Sequence, residues 1–546
     1  MSNIPQSSNR RKARSKNGCL TCRVRKVKCD ERRPACQRCT NGLMKCEWLE
    51  PGQSLSSKGA RSSKSSTPSS ISQRPLAPSP TAGTDGSHGD DSEGCNSTEA
   101  EIHLALPHHA YINVQKLSSP RPALSTSHIP LSNSLQLSAD DQAAFLYIPE
   151  SILVLSYGKL WTWSCFSYIY AHIASQYSGV MRSFIAVASM ELRAREVLAV
   201  RDGNDPARSM ENAHRIGAAA GVHYTATLKD LSSLLNHICH SEGSSNDIDA
   251  LFTMWFLILR YEVYDSESKG ASLVHLDGIR SFLKPYLETG GYANGEKLPY
   301  ISQPMLLYTL YLDADSATGN INGGRLCMDL LSRDADDHIS HEHIFLSAKS
   351  ILPKIWGETY PVSELLDDLE NYRPLRLFHL CQAAKLELMK LTRSAMPDLD
   401  AADVQKLWKH TQNFGDEFAD ILILAKSIPD SGGKRLIWTV YSAALDYHAL
   451  QVLFACLLPR DESRFQLDAA LSQILAIASK ALGEDPRQIY RFMWSLSVAL
   501  CKTQGHNNQH WLTAQLDRAR VLMPNFDVPD LILQHKLKPN EGPQSA

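Results

Sequence analysis

Six cysteines, Cys19, Cys22, Cys29, Cys36, Cys39 and Cys46, are crowded into one short segment with the spacing C-x2-C-x6-C-x6-C-x2-C-x6-C. The segment is two copies of one half, C-x2-C-x6-C. A C-x2-C pair lets two thiolates approach one metal from a tight turn or helix start. The third cysteine then reaches back after a short helix and an extended step. Each half therefore offers three sulfurs, one fewer than a tetrahedral zinc requires. Two such sites side by side complete each other by sharing: eight metal–sulfur contacts drawn from six sulfurs mean that two sulfurs bridge. The rival is a single four-cysteine ribbon on Cys19, Cys22, Cys36 and Cys39, which strands Cys29 and Cys46 and leaves the equal x6 intervals without a reason. An all-cysteine site is closed and has no position for water, which disfavours a catalytic zinc.

Between Cys22 and Cys29 stand Arg23, Val24, Arg25, Lys26, Val27 and Lys28, four cations in six residues. A basic run by itself is usually a solvated surface. On a metal-fixed scaffold the same charges are offered together, which favours contact with phosphates and groove edges. The second half has Thr40-Asn41-Gly42-Leu43-Met44 in the matching stretch and should support the fold more than read bases. Residues 1–50 carry a formal charge of +9, leaving −11 for the rest of the chain. Two zincs on six thiolates would lower the head only to about +7.

The array, CLTCRVRKVKCDERRPACQRCTNGLMKC, resembles the fungal binuclear zinc cluster, Zn(II)2Cys6, at every cysteine, and Pro34 stands where that family usually has proline. The resemblance implies two Zn2+ ions held by Cys19, Cys22, Cys29, Cys36, Cys39 and Cys46, with Cys19 and Cys36 bridging. It further implies a pair of short helices, the first presented to the DNA major groove. Lys26 then occupies the place of the family's base-reading lysine, with Arg25 beside it. Lysine donates to the O6 and N7 acceptors of guanine, in keeping with the family's preference for CGG-like triplets. Arg23, Lys28, Arg32 and Arg33 are the candidates for phosphate contacts, with Arg38 and Lys45 as further backbone contacts. The implied function is a sequence-specific, DNA-binding RNA polymerase II transcription factor in the nucleus. An activator of a metabolic or secondary-metabolite gene set is the family expectation. The alternative is a cytosolic enzyme or scaffold whose zinc head serves protein contacts.

The elements around the array divide the chain. Residues 1–18 form a basic arm, in which Arg10, Arg11, Lys12, Arg14 and Lys16 are a nuclear-import candidate. Residues 19–46 are the DNA-binding domain. Residues 47–139 read as a flexible, disordered linker: half of residues 51–100 are Ser, Pro or Gly and none is aromatic, too little apolar surface to offset ordering entropy. No heptads follow the cluster, so coiled-coil dimerisation is not expected, and a homodimer would have to form through the helical body.

Residues 140–535 read as an all-helical regulatory domain, followed by a tail over 536–546, making the whole chain mostly α. Apolar periodicity predicts helices over 152–177, 180–199, 206–235, 250–264, 270–285, 304–315, 375–392, 402–427, 435–458, 463–482 and 486–503. The order of His223-Tyr224, Ala250–Tyr264, His275–Leu283 and Arg491–Trp494 is similar to that of fungal-specific transcription factor domain 2. Asn246 and Asp247 read as helix caps, and Pro285 as a break. Trp255, Phe256, Tyr264 and His275 are more economically core or hydrogen-bonded residues than ligands, and His338, His341 and His343 read as a solvated helix entry. The apolar run Ser151–Ala174 contains Lys159 and His172, which favours a buried helix over a membrane span. Met1–Lys16 lacks the apolar core of a signal peptide, so a reducing compartment is expected for the thirteen cysteines. No phosphate loop, GxSxG or HExxH is present, and no enzyme is expected.

Overall fold

A computed structural model describes residues 19–24, 29–33, 35–37, 39, 46 and 48, and then 135–526 apart from short breaks at 158, 204, 241–242, 269, 290–297, 321, 334–338, 395–400, 428–434 and 458–459. The chain divides into two units, residues 1–106 and 107–546. Every regular element among the described residues is helical. The first unit contributes α1, Leu20–Val24.

In the second unit, α2 (Ala139–Tyr147) is followed by α3 (Ser178–Arg201), α4 (Pro206–His240), α5 (Ser245–Tyr264), α6 (Ala271–Thr289), α7 (Ser302–Ser316) and α8 (Arg325–Leu331). Then come α9 (His341–Lys349), α10 (Val362–Ser394), α11 (Ala401–Glu417), α12 (Ala419–Ser427), α13 (Leu436–Leu457), α14 (Arg460–Glu484), α15 (Ile489–Lys502) and α16 (His506–Ala519). Two helices that are apolar on almost every side organise the core, as expected of helices with no solvent face. Helix α5 is surrounded by α3, α4, α6 and α7, and α13 by α10, α11, α12, α14 and α15. Trp255, Phe256 and Tyr264 of α5 are buried, as are Tyr441, Leu445 and Phe454 of α13. Side-chain links join the two groups: Lys385 of α10 pairs with Asp315 of α7 at 2.7 Å, and the Trp494 indole N–H donates to Thr318 at 3.0 Å.

Several helices depart from the periodicity reading. Residues 152–177 are not one helix. They form short turns at Ile152–Ser156 and Cys165–Tyr168, each opened by a serine cap, with a 3-10 turn between them and a π turn after. The cap of α5 is Ser244, in a reciprocal box with Asp247, rather than Asn246. Helix α6 runs through Pro285, and α10 starts thirteen residues before the expected position and runs through Pro374. The 402–427 segment divides at Phe418 into α11 and α12. No helix is long and apolar enough to cross a membrane among the described residues.

The histidine at the start of α9 is not solvated. His341 is buried, its ring stacked 4.3 Å from His379 of α10, and Phe345 lies 4.2 Å from the same His379 ring. The Tyr311 hydroxyl meets His379 Nδ1 at 3.2 Å, and Glu342 bonds Arg376 at 2.7 Å and approaches His379 Nε2 at 3.5 Å. Burial, then the neighbouring His379, push the His341 imidazole well below the usual histidine range, and burial lowers His379 too. Both rings are therefore neutral when folded and take up protons on unfolding in acid. Their contribution is present above the unfolded value of about 6.5 and is lost as pH falls below it. Glu191 and Asp446, pushed up by burial to about 7, act in the opposite sense and lose stability as pH rises through that value. A variant isolates the histidine part: His341→Gln should take up about one proton fewer than wild type on unfolding at pH 5, read from the pH dependence of urea unfolding.

Candidate metal centre and nucleic-acid interface

The two cysteine halves repeat in their hydrogen bonds as well as in their spacing. Helix α1 begins immediately after Cys19, which carries the backbone N–H of Cys22 onto Cys19 Sγ at 3.3 Å. Seventeen residues on, Cys39 N–H meets Cys36 Sγ at the same 3.3 Å. The closing cysteines repeat as well: Cys19 N–H donates to Cys29 Sγ at 3.5 Å and Cys36 N–H to Cys46 Sγ at 3.3 Å. Each third cysteine thus returns to the start of its own half.

Cys19 and Cys36 lie 3.7 Å apart, Cys19 and Cys39 3.6 Å, Cys22 and Cys36 3.6 Å, and Cys22 and Cys39 3.9 Å, sulfur to sulfur. Zinc–sulfur bonds of about 2.3 Å give tetrahedral sulfur–sulfur edges of about 3.8 Å, so these separations suit zinc. The Cys22–Cys39 edge belongs to a one-metal site on these four sulfurs. The other three are also edges of two tetrahedra sharing Cys19 and Cys36. Cys29 and Cys46 complete the second arrangement. Cys29 is buried, Cys46 half-buried against the same cluster, and both accept backbone N–H bonds as thiolate ligands do.

Burial pushes the Cys19 thiol up, and that of Cys22 up to about 12. The Cys36 N–H holds the Cys46 thiol below its usual value. So many adjacent buried thiols cannot all ionise without a cation among them. A divalent metal supplies that charge, and its binding releases protons.

The loop between the halves is tied to the second half. The Asp30 carboxylate accepts the Gln37 N–H at 3.1 Å and lies 4.0 Å from the Arg32 guanidinium, which also donates to the Gln37 side chain at 3.3 Å. Glu31 holds a left-handed φ of 59° and turns its N–H onto Cys29 Sγ at 3.4 Å. The Arg33 guanidinium lies over the Trp48 ring, 4.8 Å from its centroid, and Trp48 packs against the cysteine cluster. Asp30 and Trp48 were not singled out from the sequence. An acidic residue directly after the third cysteine and an aromatic two residues past the sixth were the available signals.

Arg32 and Arg33 are exposed, so their charges remain accessible. Arg23 lies in α1, but its side chain falls outside the described residues. Arg25, Lys26 and Lys28 lie outside them altogether, as do Pro34, Arg38, Lys45 and the arm residues Arg10, Arg11, Lys12, Arg14 and Lys16. In the helical unit, His275 Nε2 meets the buried Glu262 carboxylate at 3.1 Å, which also accepts the Tyr224 hydroxyl at 2.7 Å. That histidine is spent on a buried polar pair.

Residues 17–54 match the model of the fungal Zn(2)-Cys(6) binuclear cluster domain. Among curated proteins, the chain is 63% identical over 35 residues to transcription factor lfc1 of Flammulina velutipes, covering 6% of this chain and 12% of that protein. It is 58% identical over 38 residues to the aspercryptin biosynthesis cluster-specific transcription regulator atnN of Emericella nidulans, 7% of this chain and 6% of the relative. Over 100 residues it is 34% identical to the transcriptional regulatory protein moc3 of Schizosaccharomyces pombe, 18% and 19% of the two chains. The matches thus span less than a fifth of these relatives' lengths. No solved structure matches the chain. The doubled cysteine half, its repeated N–H to sulfur bonds and the family match agree: residues 17–54 are a fungal Zn(2)-Cys(6) binuclear cluster domain, which binds two zinc ions.

Proposed function

We propose that the protein is a nuclear, sequence-specific DNA-binding regulator of RNA polymerase II transcription. In this reading Cys19 and Cys36 bridge two zincs, and the segment from Arg23 to Lys28 enters the major groove at CGG-like triplets. The observation that carries it is the pseudo-symmetric cysteine cage with four cations between its second and third ligands. Cations fixed on such a cage neutralise phosphates together and release counterions together. Lys26, with Arg25, reads guanine, while Arg23, Lys28, Arg32 and Arg33 hold the backbone. Arg10, Arg11, Lys12, Arg14 and Lys16 serve nuclear import.

The helical region, residues 140–535, is the regulatory part, similar in the order of its segments to fungal-specific transcription factor domain 2, and it engages the transcription machinery. Activation of a metabolic or secondary-metabolite gene set accords with the name of the Emericella relative, which ties that protein to a biosynthesis cluster.

Mobility shifts of the full chain on CGG-containing and scrambled duplexes test this reading. Lys26→Ala should narrow the preference for CGG by about tenfold, or about 1.4 kcal/mol, within the roughly 1–3 kcal/mol of one base contact, whereas Arg23→Ala should weaken all duplexes alike. Equal binding of both duplexes by the wild-type protein would overturn the sequence-specific reading, and the reverse pattern in the variants would overturn the division of roles.

A further inference from the structure

Helix α10 is inside-out over its first three turns. Its inward side carries Glu364, Asp367, Asp368 and Asn371, of which Glu364 and Asn371 are buried. Lys159 reaches all three carboxylates, at 3.0 Å from Glu364, 2.9 Å from Asp367 and 2.8 Å from Asp368, and Arg435 pairs with Glu364 at 3.0 Å. These ion pairs keep the polar side in. Val362, Leu365, Leu366 and Leu369 are left facing water, with Val362 72% and Leu369 66% exposed. At i, i+3, i+4 and i+7 the four form a single stripe roughly 100° wide, the pattern a helix normally turns inward. An exposed apolar stripe over a buried polar face is the reverse of what folding alone selects, and points to a partner.

We propose that this stripe pairs, antiparallel, with the same stripe of a second copy of the chain. The series is its own mirror: a twofold axis between residues 365 and 366 exchanges Val362 with Leu369 and Leu365 with Leu366. A symmetric interface requires such self-complementarity. Along the helix the stripe is flanked by Glu370 and Arg373, and Arg373 is already paired with the exposed Asp420 of α12 at 2.9 Å. The four side chains expose on the order of 400 Å2 per chain, about half of what a stable interface takes from each partner. The pair is therefore weak in solution, with a dissociation constant in the micromolar range or above. It tightens when two clusters sit on one duplex, because a shared tether raises the effective concentration. The duplex part of this inference rests on the function proposed above; the solution part does not.

Sedimentation of the full chain from about 1 to 100 µM is the test. The wild-type mass should rise toward twice the monomer value. A Leu366→Glu, Leu369→Glu double variant should remain monomeric over the whole range, a weakening of tenfold or more. Both positions are exposed, so unchanged circular dichroism and thermal unfolding are expected of the variant. A wild-type chain that stays monomeric at every concentration overturns the proposal, as does a dimer that the double variant leaves intact. Loss of cooperative binding to a two-triplet duplex in the double variant, with binding to one triplet retained, is the expected result on DNA. Failure to bind any duplex would count against the function, while the sedimentation result would stand alone.

Discussion

Replacing Cys36 with serine in the full chain should empty the metal centre and lower duplex affinity at least about 100-fold. Cys36 Sγ lies 3.7 Å from Cys19 Sγ and 3.6 Å from Cys22 Sγ, and the Cys36 N–H donates to Cys46 Sγ. In the shared-sulfur arrangement proposed above, Cys36 serves both metals and its loss costs coordination at both, and holding such a small unit together depends on metal binding of about 10 kcal/mol or more. Metal analysis of the purified protein should give two zincs per chain for wild type and none retained after dialysis for Cys36→Ser. Cys29→Ser separates the two metal arrangements. It should disrupt a binuclear centre, whereas a single zinc on Cys19, Cys22, Cys36 and Cys39 would survive it. One zinc per wild-type chain, undisturbed by Cys29→Ser, would overturn the shared-sulfur assignment. Cys501→Ser, at an exposed position in the helical unit, should keep both zincs.

Lys159→Ala should cost the helical unit about 3–5 kcal/mol at neutral pH, because it removes one partner from a buried charge cluster and leaves the others facing each other. The Lys159 side chain is 10% exposed and lies within 3.0 Å of three carboxylates, and the Glu364 carbonyl accepts from it as well. Without it, among the described residues Glu364 and Asp367 share Arg435, while Asp368 keeps the Tyr360 hydroxyl. Against the upward push of burial, Arg435 and then Lys159 hold the Glu364 carboxyl below its usual range. A carboxylate lowered in this way stabilises the fold above its unfolded pKa and loses that contribution as pH falls through the folded value. The penalty of Lys159→Ala should therefore shrink as pH falls and the Glu364 carboxylate takes up its proton. Urea unfolding at pH 7 and pH 3 reads this directly. A penalty below about 1 kcal/mol at pH 7, the range of an exposed pair, would show that the cluster is solvated.

The metal centre was legible because everything it needs lies between Cys19 and Cys46. Ligand type, ligand count and short spacings are local properties, and zinc imposes its own geometry on them. The N–H to sulfur bonds follow from the same spacing, since a helix beginning at one cysteine brings the N–H three residues on to its sulfur. Helices α3, α5 and α13 were legible for a related reason: their apolar residues recur within one element, and burial rewards that pattern wherever the element packs.

What only the tertiary structure decided depends on partners distant in the chain. Residues 152–177 break into short turns because Glu191, some forty residues on, accepts the N–H groups of Ile152 and Leu153 and anchors a new helix start there. His341 looks solvated beside its acidic neighbours until His379 closes over it. The first turns of α10 hide from a periodicity reading altogether, since their polar residues face inward toward Lys159, more than two hundred positions away. A buried charge needs its counter-charge, and a sequence does not say which counter-charge arrives. The six cysteines were therefore determined by the sequence itself, while which face of α10 turns to water was decided by Lys159 and Arg435.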